Sequence, residues 1–203
     1  MTASEPSSSL SPIARRRVFI VILAAAMVLA ASLIYALTAL RPGATAASLI
    51  GGPFKLTAGD GRTLTDADLK GEPFLVFFGY THCPDVCPAT LAEISDVLAK
   101  MPGKPIKALF ITIDPERDSA AAMKDYVSNF DSRIVGLSGD RAAIDQVEKA
   151  YRVYARKVPQ AGSDYTMDHS AIVYLMDSQG RFVEAFNLDR KPEESAKELE
   201  TYL

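Results

Sequence analysis

The chain has 203 residues, 48% hydrophobic and 23% charged, enough for one full core but short for two large domains. This mixture of apolar, charged, Gly and Pro residues excludes collagen, wholesale disorder and a pure coiled coil. A net charge of −3 with no basic excess argues against a nucleic-acid partner.

The apolar residues are unevenly spread. Residues 18–40 carry no charge, and only Ser32, Tyr35 and Thr38 break the run. As a helix rising about 1.5 Å per residue, such a run is long enough for a hydrocarbon core of about 30 Å. Arg15, Arg16 and Arg17 precede it, and by the positive-inside rule they hold the N-terminus in the cytoplasm. The expectation is a disordered cytoplasmic tail over 1–17, a transmembrane anchor over 18–40, a flexible tether over 41–52 and a soluble domain over 53–203. Ala44-Thr45-Ala46 fits a signal-peptide cleavage site, but a signal core is usually about 7–15 residues, so the uncleaved anchor is preferred. The setting this implies is the bacterial inner membrane with the domain in the periplasm, where a disulfide can persist.

Within the domain, residues 54–64 read as a hairpin about Ala58-Gly59-Asp60-Gly61. Thr65 with Asp68 marks a helix start. Residues 74–78 form a continuous apolar run, as in a central strand buried on both faces. Leu91, Ile94, Val97 and Leu98 recur at helical spacing after Pro88. A strand over 106–113 follows, then a helix from an Asp118 cap to Phe130, a strand over 134–137, and a helix capped by Asp140. Two strands, 171–176 and 181–186, flank Asp177-Ser178-Gln179-Gly180, and Pro192 opens a last helix ending at Tyr202. This order predicts an α/β thioredoxin-like fold: parallel pairing first, an antiparallel hairpin last, and an N-terminal β-hairpin extension.

The only two cysteines, Cys83 and Cys87, lie in Cys83-Pro84-Asp85-Val86-Cys87-Pro88, between the first core strand and its helix. Ligands collect at this end of parallel sheets. If the segment is helical, spacing of four residues puts both sulfurs on one face, and a helix N-terminus lowers thiol pKa. The pair can serve as disulfide, dithiol or two thiolate ligands. His169 stands just before the 171–176 strand, in a connection that packs on the Cys loop in thioredoxin-like folds. There it brings an imidazole to the two sulfurs, where thioredoxins have a cis-proline. Such an S₂N set suits Cu(I), or Cu(II) in a covalent thiolate site, whereas Zn(II) wants a fourth ligand. Asp168 can orient His169 through a ring N–H, and Asp118 is either a helix cap or outer support of the site. Asp85 either acts on the thiolates or solvates the loop. His82 reads as a surface loop residue and Met167 as packing.

The run Phe77-Phe78-Gly79-Tyr80-Thr81-His82-Cys83-Pro84-Asp85-Val86-Cys87-Pro88, then Ile113-Asp114-Pro115-Glu116-Arg117-Asp118, then Asp168-His169-Ser170, resembles the Sco/SenC/PrrC family over residues 50–203. The resemblance implies a membrane-anchored thioredoxin-like protein that binds copper through Cys83, Cys87 and His169. It implies service to the binuclear CuA centre in subunit II of cytochrome c oxidase, with a periplasmic copper chaperone or thiol reductant as further partner. The alternative is a periplasmic thiol–disulfide oxidoreductase, or thiol peroxidase, working through Cys83 and Cys87 as a redox-active pair. A purely structural disulfide is disfavoured, because closing so short a loop removes little unfolded-state entropy.

Overall fold

The computed structural model describes residues 16, 20, 22–32, 49–162 and 164–203. The chain divides into residues 1–47 and 48–203. In the first unit, residues 22–32 are helical and exposed (α1). The rest of the expected 18–40 anchor, apart from residue 20, lies outside the described residues, as do the tail, apart from residue 16, and most of the tether. Among the described residues no helix is long and apolar enough to cross a membrane.

The second unit is built on β1 (Lys55–Ala58), β2 (Thr63–Thr65), β3 (Phe74–Gly79), α2 (Val86–Ala99), β4 (Lys107–Thr112), α3 (Ala120–Val127), β5 (Ile134–Ser138) and α4 (Arg141–Tyr151). It continues with β6 (Ala155–Pro159), β7 (Tyr165–His169), β8 (Val173–Met176), β9 (Phe182–Ala185) and α5 (Pro192–Glu200). Seven strands form one sheet in the order β2-β1-β5-β4-β3-β8-β9. β3, β4 and β5 pair in parallel, with α2 and α3 as crossovers, and β8 closes antiparallel on β3.

The central position of β3 follows from its sequence. All six of its residues are buried, as expected for a run with no polar side chain. Each large apolar side chain so buried is worth about 1.5–3 kcal/mol. α2 turns Leu91, Ile94, Val97 and Leu98 inward at helical spacing and packs against α5. The N-terminal hairpin extends the sheet because β1 pairs antiparallel with β5 as well as with β2. Thr65 and Asp68 form the expected reciprocal cap, over a short 3₁₀ turn, Asp66–Leu69.

Three expectations change. The helix after β4 is capped by Ser119, whose hydroxyl accepts the Ala122 N–H, and Asp118 is turned inward instead. The tether ends earlier than residue 52: Leu49 C=O accepts from Arg152 Nε, and Gly51 N–H donates to Ala150 C=O, so 49–52 lie along the end of α4. A second, two-stranded sheet also stands where the sequence marks no strands, pairing β6 with β7 antiparallel and placing Ala155 opposite His169.

Candidate metal centre

β3 ends in Gly79, and the chain turns through Tyr80-Thr81-His82 into Cys83. The turn is closed by Cys83 N–H donating to Tyr80 C=O at 3.2 Å. α2 begins at Val86, so Cys87 falls in its first turn. That turn has backbone N–H groups without helical partners. One of them, the Cys87 N–H, donates to Cys83 Sγ at 3.3 Å. Both cysteines are free; Cys83 is half-buried and Cys87 fully buried.

His169 arrives from the far side as the last residue of β7. Its Nε2 lies 3.7 Å from Cys87 Sγ, and the three ligand atoms lie within 4.8 Å of one another. Its Nδ1 lies 3.0 Å from the Ser170 carbonyl oxygen. A carbonyl can only accept, so Nδ1 carries the ring proton and Nε2 presents its lone pair to the sulfurs. The imidazole is held in the tautomer a metal needs by a backbone group.

Tyr80 joins the two halves. It is 2% exposed, and its ring meets His169 edge-on at 5.9 Å between centroids. Its hydroxyl accepts the Met167 N–H at 3.3 Å and pairs with Thr166 Oγ1 at 2.8 Å, tying β7 to the Cys loop. A shallow depression of about 280 Å³ opens over Cys83, Val86 and His169.

Burial governs the electrostatics at Cys87. It pushes the thiol pKa well above the usual range, with Cys83 adding to the rise. The lowering expected from a helix N-terminus is therefore outweighed at this sulfur: desolvation of a fully buried thiolate exceeds the pull of the first helical turn. The same burial favours the protonated thiol over a bare thiolate at Cys87.

Of the outlying candidates, Asp118 is wholly buried, and its carboxylate hydrogen-bonds to Thr81 and Thr112 instead of to either sulfur. Its Oδ2 accepts the Thr81 N–H at 3.0 Å and the Thr112 hydroxyl at 2.8 Å, and its Oδ1 accepts the Thr81 hydroxyl at 2.5 Å. It secures the loop that leads into Cys83. Asp168 is exposed, meeting the Tyr154 hydroxyl at 3.4 Å and Arg156 at 3.8 Å. The ring N–H assigned to it in the sequence goes to Ser170. His82 turns to Thr81 Oγ1, at 3.1 Å, and is not among the three clustered ligands. Met167 is buried in the core, and Asp85 is exposed at the start of α2. Sequence reasoning missed Tyr80 and Ser170: one looks like a core aromatic, and the other acts through its backbone.

A family model described as SCO1/SenC matches residues 42–203. The human protein SCO1 homolog, mitochondrial, is 41% identical over 160 residues, covering 76% of this chain and 53% of that protein. The chain spans about half the length of the curated relatives it matches. Among solved structures, copper-bound ScoI of Bradyrhizobium japonicum is 58% identical with a TM-score of 0.74, over 76% of this chain and 99% of that one. Copper-bound yeast Sco1 is 36% identical with a TM-score of 0.69, over 75% of this chain and 87% of that one. A match over so much of the sequence, on a domain that brings two cysteines and a distant histidine together, means that the chain belongs to the SCO1/SenC family.

Proposed function

We propose that this protein is a copper metallochaperone that carries copper on Cys83, Cys87 and His169 and serves assembly of the CuA centre in subunit II of cytochrome c oxidase. The observation that carries this reading is the convergence of three soft ligand atoms within 4.8 Å from segments more than 80 residues apart. Two thiolates and one imidazole favour copper among the common metals, and a set of three leaves room for an acceptor's ligand to enter. Cys83, the more accessible sulfur, is the one through which copper passes to the thiols of an acceptor. Relatives solved with copper bound support the choice of metal. Oxidation of the pair to a disulfide removes both thiolates and so releases the metal.

The proposal includes an anchor over residues 18–40 in the bacterial inner membrane, N-terminus inside and domain in the periplasm. Ile22, Leu23, Met27, Val28 and Leu29 support it, each more than half exposed on α1, a surface suited to lipid. Copper arrives from a periplasmic chaperone, and a thiol reductant keeps the pair reduced.

The test is competition of the reduced full-length protein, in detergent, against a Cu(I) chelator. The wild type is expected to win copper, and Cys83→Ala, Cys87→Ala and His169→Ala to lose it. Wild-type affinity in any of the three removes that residue from the site. A second reading, thiol–disulfide oxidoreductase, is favoured by the pairing of an accessible with a buried cysteine. It predicts disulfide reduction that survives His169→Ala and is indifferent to copper.

A further inference from the structure

Residues 113–118 do more than link β4 to α3. The segment is fixed first: Ile113 N–H donates to Gly79 C=O at 2.9 Å, Arg141 Nη1 to Ile113 C=O at 3.0 Å, and the Ser138 hydroxyl to Asp118 C=O at 2.5 Å. Of its three acidic side chains, Glu116 is exposed and pairs with Lys157 of β6, whereas Asp114 and Asp118 are each at most 1% exposed. Buried carboxylates are costly unless fully hydrogen-bonded, so their partners reveal what they hold.

Asp118 holds the loop before Cys83 through Thr81, as described above. Asp114 faces the other way. Its Oδ2 accepts from Arg117 Nε at 2.5 Å and its Oδ1 accepts the Tyr165 hydroxyl at 2.8 Å. Arg117 Nη1 then donates to the Tyr165 carbonyl at 3.0 Å. The guanidinium lies over the Tyr165 ring at 3.8 Å and 5.7 Å from the ring centre of Tyr80. Its Nη2 has no hydrogen-bond acceptor, so the ring faces supply the rest of its stabilisation. Tyr165 opens β7, the strand that His169 ends.

We propose that Asp114, Arg117 and Tyr165 form a positioning clamp that sets where His169 stands relative to the two sulfurs, while Asp118 sets the Cys loop independently. This rests on the metal-binding reading of the three ligands and deepens it. The β6–β7 hairpin has few apolar anchors, with only Met167 of its ten strand residues buried. A ribbon so lightly packed is not rigid by itself. The clamp ties the start of β7, and the Tyr80 hydroxyl ties the middle of that strand. The histidine is thereby held with no proline opposite it, since the hairpin's Pro159 pairs with Tyr165 at the far end of β7 from His169. Arg117 contributes a fork as well as a charge, since it engages a carboxylate, a carbonyl and a ring face from one planar group.

The experiment uses the full-length protein in detergent with Arg117→Gln, Arg117→Lys and Tyr165→Phe, each checked for folding by circular dichroism. In the metal-free protein, hydrogen exchange is expected to speed up over 165–169 and stay unchanged over 81–83, the segment that Asp118 holds. With Cu(II) added, the nitrogen hyperfine coupling from His169 is expected to weaken. Copper affinity is expected to fall about 10- to 100-fold, as for loss of other outer supports of metal sites. Tyr165→Phe, which loses one hydroxyl and no bulk, keeps the test open if Arg117→Gln does not fold. Wild-type exchange and wild-type nitrogen coupling in the folded variants overturn the clamp, and full recovery with Arg117→Lys overturns the role of the fork. If the wild type itself takes no copper, the metal-binding reading falls, and the metal-free exchange alone decides the clamp.

Discussion

A methyl group added at Gly79 would lie 2.7 Å from Cys87 Sγ and 2.7 Å from Cε2 of Phe110. Neither neighbour can retreat, because Cys87 and Phe110 are both fully buried. The smallest residue at the end of β3 is thus what lets a sulfur pack beside the core. Gly79→Ala is expected to cost about 1–3 kcal/mol of stability, the range for overpacking a core. It is also expected to weaken copper binding by displacing Cys87. A urea unfolding midpoint equal to the wild type's would show that the space is not needed. The raised Cys87 pKa gives a second prediction. The metal-free thiol holds its proton throughout the neutral range and the metal-bound sulfur holds none, so binding releases it and affinity rises with pH. For an ordinary thiol this gain ends near about pH 8.5. Here chelator competition is expected to show affinity still rising above that point; a plateau there would mean that Cys87 titrates as an exposed thiol does.

At the scale of elements, what the sequence makes visible is what the core requires. β3 shows as an unbroken apolar run, α2 and α4 as apolar positions at helical spacing, and Asp140 as a cap. Asp140 Oδ1 does accept the Ala143 N–H, at 2.7 Å. Asp140→Ala is expected to cost about 1 kcal/mol and leave copper affinity unchanged, since α4 carries no ligand. A change in affinity equal to that of His169→Ala would tie α4 to the site. The β6–β7 hairpin is invisible for the converse reason. Ala155-Arg156-Lys157-Val158-Pro159 and Tyr165-Thr166-Met167-Asp168-His169 bury too little to show a period of two. Their order comes from the Asp114–Arg117–Tyr165 contacts and the Tyr80 hydroxyl, which join residues 51, 48, 86 and 87 positions apart. No local pattern encodes such bonds. The same limit explains Asp118: from its neighbours it reads as a helix cap, but Thr81, 37 residues away, turns it inward. Cys83, Cys87 and His169 stand out because there are so few cysteines and histidines in the chain. Tyr80 and the Ser170 carbonyl do not, because nothing in their residue types marks them.

For the whole molecule, the apolar content separates into a buried population and an exposed one. One fills the core of residues 48–203, where β3 and β4 are sheathed by helices and strands. The other stands on α1, where Ile22, Leu23, Met27, Val28 and Leu29 are 56–70% exposed. Burying one such side chain is worth about 1.5–3 kcal/mol, so an α1 left in water forgoes several times that amount. The two units are therefore expected to part company when the chain is cut between them. The full chain is expected in the membrane fraction of a bacterial host and to resist alkaline extraction. A chain starting at Leu49 is expected in the soluble fraction, folded, with the copper affinity of the full-length protein, because every ligand and every contact of the clamp lies after that point. In intact cells a membrane-impermeant maleimide is expected to reach Cys83 of the full chain once the outer membrane is opened, if the proposed orientation, based on Arg15, Arg16 and Arg17 and the positive-inside rule, holds. Extraction of the full chain by alkali would remove the anchor from the proposal. Labelling only after the inner membrane is broken would reverse the orientation and put the copper site on the wrong side for its acceptor.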